Sequence, residues 1–303
     1  MAEGTGGGVD FSRLPEGCIS NVLSLTSPAD VCRTAMVSPV FRSAAASDTV
    51  WERFIPSDID EILSRSMDRI ECSSKRELYF RLCNPILIND GKMSFFLEKS
   101  SGKKCYMLSA RQLFIIWGDT PRYWRWISVD NTRFEEVAEL LHVCWLEIRG
   151  KLDTRQLSQH TKYAAYLVFN LAEASRGLDH PSQETSVKLG AHVSSHITRL
   201  MTPLETEYSA YRYDWMENEL SDHSDSDDYE DQVAQVTELQ SNTDVVSRED
   251  GWMEIELGEF DTECGDDGEV EMNFMEIKGL NWKSGLIVQD DTLGCKQPKS
   301  TPL

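Results

Sequence analysis

The amino-terminal part of the chain spaces its apolar residues in the way that is typical of short amphipathic helices. Ile19, Val22 and Leu23 fall on one face of a first helix. Ser27 stands where it can cap a second helix, whose apolar residues begin at Val31. The pattern predicts a compact helical unit over residues 11–54, too small to bury all its apolar surface alone. The remaining apolar surface indicates either a partner or packing against the rest of the chain.

Beyond this unit, a connector with helical spacing over residues 55–91 leads to a different pattern. From Lys92 onward, short runs of aromatic and β-branched residues alternate with polar residues and are separated by turns. Runs of this kind predict strands, which we place at residues 104–108, 113–117, 124–129, 137–148, 163–171, 252–260, 270–277 and 285–288. Several strands at modest spacing favour a β-sandwich. The predicted fold class is therefore α+β, with an antiparallel, jelly-roll-like sandwich over residues 92–290.

The net charge of −21 changes this picture in one region. Between Glu205 and Glu271, 24 acidic residues stand against only Arg212 and Arg248, whereas the rest of the chain is close to neutral. We therefore expect a disordered acidic insertion at about 177–248, because such a run cannot bury enough apolar surface to fold. A disordered leader is expected at 1–10, and a flexible tail at 291–303.

Composition and motifs exclude several function classes. The eight cysteines form no CxxC pair and have no recurring spacing, so the sequence predicts neither a metal site nor a cofactor. No G-x-S-x-G, P-loop or H-E-x-x-H motif is present, and we predict that the protein is not an enzyme. Neither an apolar run of eighteen residues nor a signal-like amino terminus occurs, so we expect a soluble intracellular protein without membrane or nucleic-acid partners.

One stretch concentrates aromatic residues around a polar turn: IIWGDTPRYWRWISV, residues 115–129. Trp124 and Trp126 alternate onto one face of a predicted strand, and Trp117 ends the strand before it. We expect these strands to form a hairpin-like pair. Three indoles are more than a core demands, so at least one ring should reach the surface. An exposed indole suits the apolar face of a sugar, whereas a nucleic-acid platform also requires a cationic groove.

The helical unit is also recognisable by its motifs. LPEGCISNVLSLTSPADVCRTAMVSPVFRSAAASDTVWERF, residues 14–54, resembles an F-box through its Leu-Pro opening, internal Ser-Pro, Val-Ser-x-x-Phe-Arg stretch and closing Val-Trp. In that family the motif docks the chain onto the Skp adaptor of a cullin-based ubiquitin ligase. The resemblance implies that the anchors or core of the module are Leu14, Pro15, Ile19, Leu23, Val31, Val37, Phe41 and Trp51.

The remainder resembles the phloem lectin-like domain of plants, which is related to the tobacco lectin that binds chitin oligomers and N-glycans. The matching stretches are GKKCYMLSAR, IIWGDTPRYWRW, VAELLHVCWLEIRGKL, YAAYLVFNL, DGWMEIELGEF, DGEVEMNFMEI and NWKSGLIV. This resemblance implies a carbohydrate site formed by Trp117, Trp124, Glu269 and Glu276. It also implies a glycoprotein or a glycan containing N-acetylglucosamine as the target.

The two resemblances together imply a non-catalytic substrate-recognition subunit of a ubiquitin ligase. We expect it in the cytoplasm and nucleus, with a role in stress responses. Three alternatives remain open: a free-standing intracellular lectin, a sandwich that recognises a non-glycosylated protein, and a scaffold whose acidic segment binds a basic partner.

Overall fold

The computed structural model describes residues 14–200, 245–262 and 268–295. It divides the chain into two compact units, of which the first holds the described residues up to Ile88 together with Phe95–Lys104. The second unit holds Asn89–Ser94 and the described residues from Cys105 onward. No helix within the described ranges is long and apolar enough to cross a membrane. The predicted leader lies outside the described residues.

Short capped helices build the first unit. Ser27 caps the second helix by accepting the N–H of Asp30 at 3.1 Å, and Ser38 caps the third by accepting the N–H of Phe41 at 3.3 Å. A proline follows each cap at the first helical position, where its missing N–H does no harm. The helices are α1 (Glu16–Leu23), α2 (Pro28–Thr34), α3 (Pro39–Ala45), α4 (Asp48–Glu52), α5 (Ile59–Ser64) and α6 (Lys75–Leu82).

Trp51 is the centre of the first unit's core. Its indole N–H donates to the carbonyl oxygen of Ala45 at 2.6 Å, and the residue is 1% exposed. Its ring centroid lies 5.1 Å from those of Tyr79 and Phe80, both on α6. The predicted connector therefore packs with the predicted helical module as one unit, because α6 supplies the apolar surface that a 44-residue module lacks.

Strands make up most of the rest of the described chain. Along β13, buried residues such as Val270, Met272 and Phe274 alternate with less buried ones, as the period of two requires, whereas most of β14 is buried. The strands are β1 (Ile86–Ile88), β2 (Met93–Leu97), β3 (Lys104–Ser109), β4 (Phe114–Ile115), β5 (Trp124–Ile127), β6 (Val137–Leu140), β7 (Leu146–Asp153), β8 (Lys162–Arg176), β9 (Gln183–Leu189), β10 (His192–Thr198), β11 (Val246–Ser247), β12 (Met253–Asp261), β13 (Glu269–Glu276) and β14 (Ser284–Cys295).

Two antiparallel sheets face each other in the second unit. The larger sheet has the order β3-β14-β8-β12-β11, with β6 paired to β14 and β5 paired to β6. The smaller sheet has the order β10-β9-β13-β7-β4. Gly150 of β7 lies so close to Asp291 of β14 that a side chain at position 150 would collide with its carboxylate. This close approach across the layers confirms the predicted sandwich.

The predicted disordered insertion was wrong over residues 177–200. β9 and β10 form an antiparallel pair there, and β9 joins the smaller sheet through β13. Its sequence is typical of a polar segment because it is rich in Ser, Thr and His, yet Thr185, Val187 and Leu189 are all buried in the core. β11 likewise lies within the predicted insertion. Residues 201–244, which hold most of the acidic run, lie outside the described residues.

The predicted flexible tail also begins too early. β14 continues through Asp291 and Leu293 to Cys295, because these residues pair with β3 and β8 in the larger sheet. Residues 296–303 lie outside the described residues. The single strand predicted at 137–148 is two strands, β6 and β7, which belong to different sheets.

Candidate functional site

The aromatic turn carries the chain from one sheet to the other. β4 pairs with β7 in the smaller sheet, whereas β5 pairs with β6 in the larger one, so the expected hairpin-like pair does not form. Since β4 and β5 do not pair with each other, the turn between them is held by hydrogen bonds from two indole N–H groups of β5. Trp124 donates to the carbonyl oxygen of Ile116, and Trp126 donates to that of Gly118, each at 3.0 Å.

Trp124 is a core residue in this structure. It is 1% exposed, so its ring presents no face to a ligand, and the sugar contact that the resemblance implies does not fit this position. The physical reason is the indole bond to Ile116, which turns the ring inward beneath the crossing. Trp126 is half-buried, and the guanidinium of Arg111 covers its ring at 3.6 Å from the centroid.

Trp117, in contrast, lies on the surface. Its residue is 42% exposed, and its ring lies 5.2 Å from that of Tyr123. Its backbone has φ +54°, the left-handed region that an L-residue with a bulky side chain rarely adopts. Such a conformation costs on the order of 1–2 kcal/mol and is found preferentially at functional sites. Trp117 is therefore the one predicted sugar-binding tryptophan that can stack on a ligand.

The two glutamates do not come together. Glu269 and Glu276 begin and end β13, which places them about 23 Å apart at roughly 3.3 Å per residue. Glu269 is exposed and pairs with Lys151 at 3.3 Å. Of the two, only Glu276 lies at the same end of the smaller sheet as Trp117. Glu276 pairs with Leu146 at the start of β7, and β4, which leads into Trp117, pairs with β7 at Ile148. One small-sugar site cannot include both carboxylates.

Glu276 is engaged inside the protein. Its carboxylate forms an ion pair with Lys283, and its Oε1 accepts the backbone N–H of Gly279 at 2.7 Å. Nζ of Lys283 also donates to the carbonyl oxygens of Asn281 at 2.8 Å and Cys144 at 3.2 Å. These bonds satisfy the buried charges and anchor residues 277–283. In this structure the carboxylate therefore positions a loop rather than facing a ligand.

The anchored loop displays further aromatic rings. Trp282 is 54% exposed and stacks on His142 with ring centroids 4.3 Å apart. Trp145 is also exposed, and its indole N–H donates to Oε2 of Glu147 at 2.9 Å. Together with Trp117 and Tyr123, these residues form a set that we name the aromatic surface: Trp117, Tyr123, His142, Trp145 and Trp282.

Trp145 and Trp282 were not among the sites predicted from sequence. Both lie in stretches that carry the lectin resemblance: Trp145 falls inside the strand predicted at 137–148, and Trp282 lies just before the strand predicted at 285–288. The available signal was weak: Trp282 stands in a polar segment, but Trp145 is flanked by Cys144 and Leu146, as a core residue would be. Their exposure depends on the pairing of Val143 with Lys283, a contact between distant parts of the chain.

A separate cleft of about 620 Å³ lies along β9, β10 and β13. Its lining includes Glu184, Ser186 and Ser195, together with Ile197 and Met275. Glu184 is already paired with Lys278. Its lining holds one ring, that of His196, and no tryptophan, tyrosine or phenylalanine, so the aromatic surface is the better candidate for stacking against a ring-shaped ligand.

The first unit contains a second candidate site. Of the residues that the F-box resemblance implies, Ile19, Leu23, Val31 and Trp51 are buried, and Phe41 is partly buried. Leu14, Pro15 and Val37 are exposed. Further large apolar side chains are exposed beside them, and we name the set the exposed apolar face: Leu14, Val22, Leu25, Met36 and Val37.

Comparison with known proteins assigns both units. Residues 103–291 match the family model for phloem protein 2, and residues 11–53 match the model for the F-box domain. The chain is 45% identical to F-box protein At2g02240 of Arabidopsis thaliana over 281 residues, which cover 92% of this chain and 78% of the relative. It is 40% identical to F-box protein PP2-B1 of Arabidopsis thaliana over 304 residues, covering 92% of this chain and 88% of the relative.

A third relative from Arabidopsis thaliana, F-box protein PP2-B10, is 43% identical over 282 residues, covering 92% of both chains. F-box proteins generally serve as ubiquitin ligase adaptors and are not themselves catalytic. The domain order observed here, an F-box followed by a lectin-like unit, is that of a substrate-recognition adaptor. The chain belongs to the phloem protein 2 family and carries an F-box domain ahead of its lectin-like domain.

Proposed function

We propose that this protein recruits a target to a cullin-based ubiquitin ligase, docking onto the Skp adaptor through its F-box and holding the target on its lectin-like unit. The exposed apolar face carries the first half of this proposal. Catalysis takes place on other subunits, so the contribution of this chain is to raise the local concentration of the target near the transferring enzyme.

The composition of the exposed apolar face supports an adaptor as its occupant. Met36, Val37 and Leu25 are 81%, 73% and 72% exposed, although each is a large apolar side chain. Burying such a side chain contributes roughly 1.5–3 kcal/mol, so several of them together can stabilise an interface. The same helices already direct Leu23 and Val31 into the core, which leaves an outside partner to cover the face.

Co-purification of the full-length chain with a plant Skp adaptor tests this half. Met36→Asp and Val37→Asp each place a charge on the exposed apolar face, and we expect either change to abolish the association. Met67→Asp is the matched control, because Met67 is 68% exposed in the same unit but lies outside the F-box. Retained association of both F-box variants would contradict the docking proposal.

For the second half, we propose that the aromatic surface binds a glycan containing N-acetylglucosamine, with Trp117 as a stacking ring. The exposed indole faces support this assignment, because an apolar wall with a few polar groups is the usual construction of a small-ligand site. The indole N–H of Trp145 is already bonded to Glu147, which leaves the ring face as its contact surface.

Titration of the full-length chain with chitin oligomers tests glycan binding. We expect Trp117→Ala to weaken binding at least tenfold while the folding free energy changes by less than about 1 kcal/mol. Val193→Ala provides the control, since Val193 is exposed on β10, away from the aromatic surface. Equal binding by Trp117→Ala and the unmodified chain would contradict the role of that ring.

Recognition of a non-glycosylated protein is the second candidate function. The observation that favours it is the burial of Trp124 and Glu276, two of the four residues that the lectin resemblance implies. A well-folded chain that binds no chitin oligomer, but still associates with the Skp adaptor, would favour this candidate.

A further inference from the structure

We propose that the saccharide surface has two stacking platforms, one formed by Trp117 with Tyr123 and the other by Trp282 with His142. A saccharide chain long enough to reach both platforms would then stack on Trp282 as well as on Trp117. This inference rests on the proposed glycan-binding function and gives Trp282 and His142, members of the aromatic surface to which that proposal assigns no individual role, the part of a second stacking subsite.

The two platforms stand on neighbouring segments of backbone. The carbonyl oxygen of Tyr123 accepts the N–H of Leu141 at 2.9 Å and that of His142 at 3.4 Å. Segments bonded in this way lie about 5 Å apart. Tyr123 contacts the ring of Trp117, and His142 contacts the ring of Trp282, so the two ring pairs flank one backbone contact.

Trp145 connects the platforms to the smaller sheet. Ile116 donates its N–H to the carbonyl oxygen of Glu147 at 3.0 Å, which brings the residue before Trp117 next to the start of β7. Trp145 immediately precedes β7. Three exposed tryptophans therefore lie at the same end of the sandwich.

The second platform is held in place by buried contacts. Lys283 exchanges two backbone hydrogen bonds with Val143, at 2.7 and 3.0 Å, and its ammonium forms the buried ion pair with Glu276. Gly177 approaches the carbonyl oxygen of Trp282 so closely that a side chain at position 177 would collide with it. A ring fixed before the ligand arrives loses little conformational entropy on binding.

Three of the cations around the aromatic surface are already paired with carboxylates. Lys278 is paired with Glu184, Arg149 with Glu147, and Lys283 with Glu276. A single-stranded nucleic acid or another polyanion would require cations that are available for its phosphates. Arg122, whose guanidinium lies 5.9 Å from the ring centroid of Tyr123, is not among these pairs, but a single cation is less than the groove that a polyanion requires. The stacking rings are suited to the C–H faces of a saccharide chain.

The test compares N-acetylglucosamine oligomers of increasing length, from the monosaccharide to the hexasaccharide, by calorimetric titration of the full-length chain. We expect affinity to rise with length in the unmodified chain. We expect Trp282→Ala to lose about tenfold in affinity for the longer oligomers and to bind the shortest ligands as before. Trp282→Phe keeps an aromatic ring and should restore most of the loss, whereas Val193→Ala should behave as the unmodified chain.

Each other outcome overturns the inference in a distinguishable way. If Trp117→Ala weakens binding but Trp282→Ala does not, the glycan function stands and the second platform is wrong. If the folded, unmodified chain binds no oligomer, the glycan function and the second platform are both wrong. The indole N–H resonance of Trp282 gives a second readout, because it should shift on adding the hexasaccharide but not the monosaccharide.

Discussion

The ammonium of Lys283 and the carboxylate of Glu276 form an ion pair whose side chains are 0% and 2% exposed. The pair joins the end of β13 to the residue that follows Trp282, across a loop of six residues. A buried charge without its partner is strongly unfavourable, so this contact links the position of an exposed ring to the stability of the sandwich.

Replacing Lys283 by methionine is expected to destabilise the protein by about 3–5 kcal/mol, because it leaves the carboxylate of Glu276 buried without a counter-charge. Urea unfolding measures this change. Lys278→Met is the control on the same loop, since its pair with Glu184 is exposed and contributes under about 1 kcal/mol. If Lys283→Met and Lys278→Met lower the free energy of unfolding equally, the buried ion pair contributes no more to stability than the exposed one.

Trp124→Ala and Trp117→Ala are expected to separate packing from binding. Trp124 is buried, so its removal should cost about 3–5 kcal/mol of folding free energy. Trp117 is exposed and strained, so its removal should change stability by less than about 1 kcal/mol. Unfolding midpoints measure both effects. If the two variants lose a similar amount of folding free energy, the conclusion that Trp124 is a core residue and Trp117 is not would be wrong.

Asp291 gives a prediction about pH. Burial raises the pKa of its carboxyl well above the usual range, and the neighbouring carboxylate of Asp290 raises it further. The folded state therefore holds a proton that the unfolded state has released, and stability falls as pH rises from about 4 through the folded-state pKa. The slope from this one group is at most about 1.4 kcal/mol per pH unit.

Asp291→Asn removes this titration. We therefore expect the variant to gain stability relative to the unmodified chain as pH rises towards 7, and the two to converge near pH 4. Unfolding free energies measured at several pH values test the difference between the proteins, which cancels the contribution of groups that do not interact with Asp291. Asp290 does interact with it, so the difference reports the two carboxyls together. A difference that stays constant with pH would show that Asp291 does not titrate in the folded state over this range.

Two glycines are expected to respond oppositely to alanine. A side chain at Gly150 would meet the carboxylate of Asp291 and would lie 2.7 Å from Cε of Met272, so Gly150→Ala should destabilise by about 1–3 kcal/mol. Gly17 lies within α1, and no atom lies within 4 Å of the added carbon. Gly17→Ala should stabilise by roughly 0.5–1 kcal/mol, because glycine is a poor helix former. Thermal unfolding checks both signs.

The sequence allowed the local elements to be predicted where the determining contacts are themselves local. The predicted cap at Ser27 joins atoms three residues apart, and the alternating run that became β13 needs only its own period of two. The prediction failed for β9 and β10, because a strand rich in Ser and Thr looks like a polar loop until a sheet covers one of its faces.

The sequence by itself determined the two-part organisation, the α+β class and the family, since capping, alternation and motif order are properties of neighbouring residues. The tertiary structure alone decided which candidate site residues are available to a ligand. Trp124 is buried beneath the chain crossing at Ile116, and Glu276 is engaged by Lys283, whereas Trp117 and Trp282 remain on the surface. Whether a residue is buried depends on which side chains pack against it, and in this fold those side chains come from strands that are distant in the sequence.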